Sequence, residues 1–144
     1  MKNNKLLFIK PEEKESLEQL LIGQGISAGF PSPADDFQEV RISLDRELVK
    51  NKESTFYARV NGDSMIEAGI SDGDLLVIDR SIEPQNNKIA VCFLDGDFTI
   101  KRIVKKNCDL YLKPENKYYK KIKISKEDKL IIWGIVTYVI KAVN

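Results

Sequence analysis

Short apolar runs recur along the chain from about residue 39 onward, separated by polar clusters such as NGDS, SDGD, PQNN and LDGD. Alternation with a period of two and β-branched content are typical of strands, and such clusters are typical of turns. The pattern predicts eight strands: VRISL, TFYARV, DLLVID, KIAVCFL, DFTIKRIV, CDLYLK, YKKIKI and LIIWGIVTYVI. Residues 40–144 are therefore predicted to form a mostly β domain of antiparallel strands.

The first 39 residues show a different pattern and are predicted to form an N-terminal arm. Leu17, Leu20 and Leu21 share one face at helical spacing, which predicts a short helix over Glu12 to Leu21. A helix of this length is too short to be stable alone. The segment Gly23 to Pro33 combines glycines with two prolines, which favours an exposed, extended linker.

Length and hydrophobicity bound the class of protein. The 144 residues, 42% of them hydrophobic, suffice for one domain with a core. The longest apolar run, Leu130 to Ile140, falls short of the roughly 20 residues that cross a bilayer. The start, MKNNKLLFIKPEEKE, lacks the apolar region of a secretory signal. We therefore expect a cytoplasmic protein without a membrane anchor.

The cysteine spacing indicates the state of the thiols, and the distribution of charge bears on whether the chain binds nucleic acid. Cys92 and Cys108 lie in strand-like contexts without CxxC spacing, so we expect reduced, buried thiols. The net charge is −3 over residues 1–40, −4 over 41–100 and +8 over 101–144. A basic segment can indicate nucleic-acid binding, but its lysines alternate with apolar residues as on the solvated face of a sheet. Direct nucleic-acid binding is thus the less favoured interpretation.

The chain contains no histidine, which excludes Ser-His-Asp and Cys-His catalysis and histidine-based metal sites. No metal or cofactor is expected. A serine can still act as a nucleophile where a neutral lysine accepts its proton. Burial favours the neutral form of lysine, with pKa shifts of up to about 3 to 5 units in extreme cases. A lysine inside an apolar strand is therefore the residue to look for.

Two segments fit such a pair. Lys101 lies within FTIKRIV and shares a strand face with Thr99 and Ile103, although local sequence alone favours a lysine that reaches solvent from an edge strand. Ser64 lies in VNGDSMIEAGI, where a strand ends in a turn and a short helical stretch is predicted to begin. The backbone N–H groups of Asp63 and Ser64 would be free there to bind an oxyanion. A plain turn capped by either residue is the alternative that local sequence favours.

These segments together resemble the LexA/UmuD family of self-cleaving Ser-Lys proteases. NGDSMIEAGISDGDLLVID is followed by DGDFTIKRI, with Lys101 37 positions after Ser64, and SAGFPSPADD upstream resembles the segment that the family cleaves. The resemblance implies a LexA-like, signal-peptidase-like β domain with an extended arm. It also implies that Ser64 is the nucleophile, Lys101 the general base and Ala28-Gly29 the scissile bond.

The arm is more similar to the UmuD branch than to LexA, because FIKP lies near the start and the residues before Ala28 leave no room for a helix-turn-helix module. UmuD itself has cysteine before the scissile glycine, whereas LexA has alanine as here. The resemblance implies a homodimer whose cleavage is stimulated by a RecA filament on single-stranded DNA. After the arm is lost, the processed form is expected to join a UmuC-type subunit in an error-prone translesion polymerase of the SOS response.

Two other functions remain open. A membrane signal peptidase uses similar chemistry on other proteins, but it needs a membrane anchor. A non-catalytic regulatory module that binds polymerase or RecA would keep the β domain without using Ser64 or Lys101 as catalysts. Replacing Ser64 with Ala distinguishes these functions, since a binding module would keep its biology and a protease would lose it.

Overall fold

A computed structural model describes residues 7–11, 18–22, 26, 28–29 and 39–144. The strands, in chain order, are β1 (Leu7–Ile9), β2 (Glu18–Ile22), β3 (Glu39–Ser43), β4 (Thr55–Arg59), β5 (Leu75–Asp79), β6 (Ile89–Leu94), β7 (Asp97–Lys106), β8 (Asp109–Lys113), β9 (Ile122–Lys123) and β10 (Leu130–Ile140). One short α-helix, α1 (Leu44–Leu48), and two 3-10 turns, Lys52–Ser54 and Ile66–Ala68, complete the elements of these residues.

The chain divides into two compact units. The hairpin unit comprises residues 12–50, in which β2 and β3 pair antiparallel and α1 follows. The sheet unit comprises residues 1–11 and 51–144 and contains the other eight strands. The predicted division into an arm of residues 1–39 and a protease domain of residues 40–144 stays a prediction.

One antiparallel sheet forms the sheet unit, in the order β1-β4-β5-β10-β6-β7-β8-β9. Two clusters of buried apolar side chains pack on it, the first around Leu76 and Ile78 and the second around Cys92 and Leu112. Strand β7 contributes Ile100 to the first cluster and residue 103 to the second. The middle of β7 therefore runs through the buried part of the unit.

Tight turns fix the position of β7 at both ends. Asp95 and Gly96 join β6 to β7 with φ of 48° and 93°, and Asn107 and Cys108 join β7 to β8 with φ of 53° and 66°. Positive φ at both central residues is typical of the two-residue hairpin turn whose twist matches that of the flanking strands. Since such turns set strand register, β7 has one alignment with each neighbour.

Strand β10 lies between β5 and β6, and its register shifts between Ile132 and Gly134. A Cβ atom at Gly134 would lie 2.6 Å from Ile78 Cγ2, which no real side chain tolerates without displacement. Glycine is therefore required at this position of β10, where its backbone lies close to a side chain of the paired strand β5.

The mostly β, antiparallel fold class is confirmed, and each of the eight predicted strands overlaps an observed one. The helix predicted over Glu12 to Leu21 is wrong for its last four residues, which belong to β2. Pairing with β3 satisfies backbone groups that an isolated short helix holds only marginally. Residues 12–17, and the predicted linker apart from Ile26, Ala28 and Gly29, lie outside the described residues.

The two thiols differ from each other. Cys92 is buried, as expected, whereas Cys108 is exposed, so its predicted burial is wrong. The predicted strand CDLYLK begins at Cys108, whereas β8 begins one residue later, because residues 107 and 108 are the two central positions of the hairpin turn.

Candidate active site

Lys101 lies on a central strand of the sheet. Strand β7 pairs with both β6 and β8, and Lys101 is buried, with only 7% of its surface exposed. Its Nζ donates hydrogen bonds to Thr99 Oγ1 at 2.5 Å and to the backbone oxygen of Ile100 at 3.0 Å. The alternative of a lysine that reaches solvent from an edge strand is therefore wrong.

Burial lowers the pKa of Lys101, because the ammonium form loses its hydration. Cys92 faces Thr99 across the sheet, and a thiolate there would oppose this shift. Burial, however, raises the pKa of Cys92 to about 12, so the thiol stays neutral. Among the described residues Lys101 forms no ion pair with a carboxylate. The neutral amine is thus the form that this environment favours.

Ser64 lies in the loop between β4 and β5, and its residue is half-buried. Gly62, two residues earlier, adopts φ of 109°, a conformation that residues with a Cβ rarely reach, and its N–H donates to Asp72 Oδ1 at 2.8 Å. The helical stretch predicted to begin at Ser64 is a single 3-10 turn over Ile66–Ala68. Ser64 therefore projects from a constrained turn rather than from a helix.

The structure brings the two predicted side chains together. Ser64 Oγ lies 3.3 Å from Lys101 Nζ. A neutral amine has two N–H donors and one lone pair, and the acceptors on Thr99 and Ile100 match the two donors. The lone pair is then available for the proton of the Ser64 hydroxyl. This is the geometry that a lysine general base requires.

The backbone N–H groups of Asp63 and Ser64, predicted as oxyanion donors, are available. Neither donates a hydrogen bond within the part of the chain that the structure describes. The carbonyl of Asp63 accepts from Ile66 N at 3.2 Å and from Asn116 Nδ2 at 2.9 Å. Unpaired N–H groups beside a nucleophile are the donors that stabilise a developing oxyanion.

The loop after β8 supports this turn, and no sequence pattern predicts that it does. Asn116 Nδ2 donates to the Asp63 carbonyl, and Tyr119 Oη donates to Asp63 Oδ1 at 2.6 Å. Glu115 forms an ion pair with Arg102, which follows Lys101 in β7. The loop thus ties the serine turn to β7. Its sequence, PENKYY, has no periodicity, and its contacts arise only in the folded chain.

A small cavity opens beside Ser64. Its volume is about 20 Å³, and its lining residues are Val60, Asn61, Gly62, Ser64, Met65, Phe98, Thr99 and Ile100. Such a volume holds little more than one water-sized group. The cavity thus has room for a small group next to the serine.

The predicted scissile residues, Ala28 and Gly29, are both exposed and belong to the hairpin unit. Their relation to Ser64 and Lys101, which belong to the sheet unit, stays a prediction. Over the described ranges, no group of three or more potential metal-ligating side chains converges. In those same ranges no helix has the length and apolar character needed to cross a bilayer.

Comparison with known proteins gives consistent matches. The Peptidase S24-like family matches residues 20–137. ImpA of Salmonella typhimurium is 39% identical over 94 residues, which cover 65% of this chain and 65% of ImpA. SamA of the same species is 35% identical over 133 residues, 92% of each chain. The LexA repressor of Clostridium perfringens is 37% identical over 131 residues, 91% of this chain and 63% of the repressor. These matches agree with the resemblance drawn from the serine and lysine segments.

Proposed function

The chain belongs to the Peptidase S24-like family, and from this premise we propose that it is a serine protease that cuts its own chain between Ala28 and Gly29. Ser64 acts as the nucleophile and Lys101 as the general base. The observation that carries the proposal is the 3.3 Å separation of Lys101 Nζ and Ser64 Oγ at a site where burial lowers the lysine pKa. A buried lysine without an ion-pair partner is costly as an ammonium, and its neutral form is the base that a Ser-Lys dyad uses.

In the first half of the reaction, Ser64 Oγ attacks the carbonyl carbon of Ala28 while Lys101 Nζ accepts the hydroxyl proton. The backbone N–H groups of Asp63 and Ser64 stabilise the oxyanion of the tetrahedral intermediate. The C–N bond to Gly29 then breaks, and the Lys101 ammonium donates its proton to the departing amine. The product is an ester between Ser64 and Ala28.

In the second half, a water molecule attacks the ester carbonyl of Ala28 while Lys101 accepts its proton. The tetrahedral intermediate collapses, and the proton passes from Lys101 to the departing Ser64 oxygen. Residues 1–28 leave with a new carboxylate, and the dyad returns to its starting state.

The cavity beside Ser64 supports the choice of the Ala28 bond. A space of about 20 Å³ has room for the methyl group of Ala28. Gly29 has no side chain, which lets the backbone on the other side of the bond approach closely. Because the substrate is part of the same chain, its effective concentration exceeds that of a free peptide.

The wider biology belongs to the same proposal. We take the protein to be a cytoplasmic homodimer in which the cleavage segment seldom occupies the site until a RecA filament favours the docked state by differential affinity. The processed form then serves as a subunit beside a UmuC-type error-prone polymerase. Purified RecA on single-stranded DNA should accelerate cleavage and increase hydrogen-exchange protection of the arm. Acceleration without a change in arm protection would contradict this docking step.

Intact-mass measurement on the purified full-length chain tests the chemistry. Wild type, Ser64→Ala and Lys101→Ala are incubated side by side at neutral and alkaline pH. The wild type alone should split between Ala28 and Gly29, and faster at alkaline pH, since deprotonation of lysine activates the base. Fragmentation of all three chains would indicate a contaminating protease. Integrity of the wild type even with an activated RecA filament would instead favour the non-catalytic interaction module.

A further inference from the structure

Asn116 is a buried residue of the loop after β8, only 7% exposed, and both ends of its side-chain amide are bonded. Nδ2 donates to the Asp63 carbonyl at 2.9 Å, and Oδ1 accepts from the backbone N–H of Tyr118 at 3.0 Å. A carbonyl only accepts and a backbone N–H only donates, so the orientation of the amide is unambiguous. Asn116 is thus a fixed donor aimed at the Asp63 carbonyl.

The carbonyl of Asp63 belongs to the same peptide group as the N–H of Ser64. A trans peptide group is planar, and its C=O and N–H point in opposite directions. Asn116 and the N–H of Ile66, at 3.2 Å, both bind this carbonyl. Fixing the carbonyl therefore fixes the direction of the Ser64 N–H, which donates no hydrogen bond within the described residues.

We infer that Asn116 is a positioning residue for peptide-bond cleavage: its hydrogen bond to Asp63 aims the Ser64 N–H at the oxyanion of the tetrahedral intermediate. The inference rests on the proposed protease function and adds a residue whose side-chain hydrogen bonds go to Asp63 and Tyr118 rather than to Ser64 or Lys101. Loss of an oxyanion donor costs about 100-fold to 1,000-fold in rate. A misdirected oxyanion donor loses part of this rate advantage. Loss of the Asn116 amide, which aims the Ser64 N–H, should therefore slow cleavage roughly 10-fold to 100-fold.

Tyr119 supplies a matched control because its hydroxyl also donates to Asp63, but to the side-chain oxygen Oδ1. That hydrogen bond does not restrain the peptide plane between Asp63 and Ser64. Tyr119→Phe therefore removes a hydrogen bond to the same residue without freeing the Ser64 N–H. If any bond to Asp63 were equally important, Tyr119→Phe and the Asn116 variants would behave alike.

The experiment compares full-length Asn116→Leu, Asn116→Asp and Tyr119→Phe with the wild type. Leu has a similar volume and removes the donor without adding charge, whereas Asp removes the donor and keeps an acceptor for the Tyr118 N–H. Self-cleavage rates are measured by intact mass from about pH 6 to about pH 11, which covers the range around the lysine base. Urea unfolding of each variant, in a Ser64→Ala background, reports the folded fraction.

Both Asn116 variants should lower the plateau rate roughly 10-fold to 100-fold, and Tyr119→Phe less than about threefold. The midpoint of the pH–rate curve should stay that of the wild type for Asn116→Leu, because the base is unchanged. The inference would be overturned if Asn116→Leu and Tyr119→Phe lowered the plateau rate equally. It would also be overturned if the loss of rate matched the unfolded fraction, or if only the midpoint of the pH–rate curve moved. Full activity of the Asn116 variants beside an active wild type would overturn it and leave the protease proposal standing. A wild type that stays intact even with an activated RecA filament would overturn both.

Discussion

Two buried ionisable residues of the sheet unit, Asp79 at the end of β5 and Lys101 in β7, both have lowered pKa values, with opposite consequences. A lowered pKa keeps the Asp79 carboxylate charged, whereas it favours the uncharged amine of Lys101. Both residues are nearly inaccessible, at 4% and 7% exposure. Burial alone therefore does not decide which charge state the fold holds.

The partners of each group account for the difference. Burial by itself raises the pKa of Asp79, but hydrogen bonds from Asn51, Ser81 and Ser54 outweigh it and hold the pKa at about 2. The donors are Asn51 Nδ2 at 3.0 Å, Ser54 Oγ at 2.7 Å, and the N–H and Oγ of Ser81 at 2.8 and 2.7 Å. The hydrogen-bond acceptors of Lys101 among the described residues are all uncharged, and burial dominates its pKa. Hydrogen-bond donors therefore keep the buried carboxylate charged, whereas burial without an anionic partner among the described residues favours the neutral amine.

The largest effect on stability is expected from Asp79→Asn. The shift of the Asp79 pKa from 3.8 to about 2 corresponds to about 2 kcal/mol of stability near pH 7, at about 1.4 kcal/mol per pKa unit. Asn keeps the size of the side chain but not the charge. Urea denaturation in the Ser64→Ala background should show the loss, while the cleavage rate per folded molecule stays that of the wild type. Equal stability of both chains at pH 7 would contradict the role of Asp79 as a structural ion.

The difference in unfolding free energy between wild type and Asp79→Asn should depend on pH. The folded-state pKa of Asp79 lies below its ordinary value of 3.8, so its contribution is present above about pH 4 and is lost as the pH falls towards 2. The gap in unfolding free energy between wild type and Asp79→Asn should therefore close across this acidic window. A gap that stays constant with pH would indicate altered packing instead.

A smaller effect of opposite sign is expected from Lys101→Met. Because the folded pKa of Lys101 is lowered, the unfolded chain binds a proton that the folded chain disfavours, and wild-type stability rises with pH until the pH reaches the ordinary value of 10.5. Met fills similar space without this cost, so the variant should be more stable at pH 7 by about 1 kcal/mol, with cleavage abolished. The advantage should shrink as the pH approaches 10.5. Lower stability, or an advantage independent of pH, would contradict a neutral buried lysine.

The strands could be predicted from sequence because alternation is a local property of each segment, as DLLVID and KIAVCFL illustrate. The segment of β2 could not, because its leucines fit helical spacing and only pairing with the distant β3 selects a strand. The secondary structure is thus predicted wrongly where the local preference is weak and pairing with a distant segment determines the conformation.

The candidate active site shows the same contrast between features that local sequence predicts and features that depend on distant contacts. Local pattern singled out Ser64 and Lys101 but left the edge-strand alternative open, since burial of Lys101 depends on having β6 on one side of β7 and β8 on the other. Asn116 lies in a stretch without periodicity, and its importance comes from a contact with Asp63, 53 positions away. Supporting residues of this kind become visible only when the loops meet in the folded chain.

The smallest effect is expected from Thr99→Val, which changes one partner of Lys101 and leaves the others. The Thr99 hydroxyl accepts from Lys101 Nζ at 2.5 Å. An acceptor stabilises an ammonium, by about 1.5–3 kcal/mol, more than a neutral amine, by about 0.5–1.5 kcal/mol, so losing it lowers the lysine pKa further. The pH–rate midpoint for self-cleavage should therefore move to lower pH by roughly one unit, with a plateau close to that of the wild type.

Val is the matched substitution because it keeps the branched shape of Thr99 and removes only the hydroxyl. A shift of the midpoint to higher pH would mean that Thr99 donates its proton to the neutral amine. The lone pair of Lys101 would then be shared between Thr99 and Ser64, and Thr99 would compete with the nucleophile for the base. An unchanged midpoint would mean that burial alone sets the lysine pKa, and the contrast with Asp79 would then depend on hydrogen bonds at the carboxylate only.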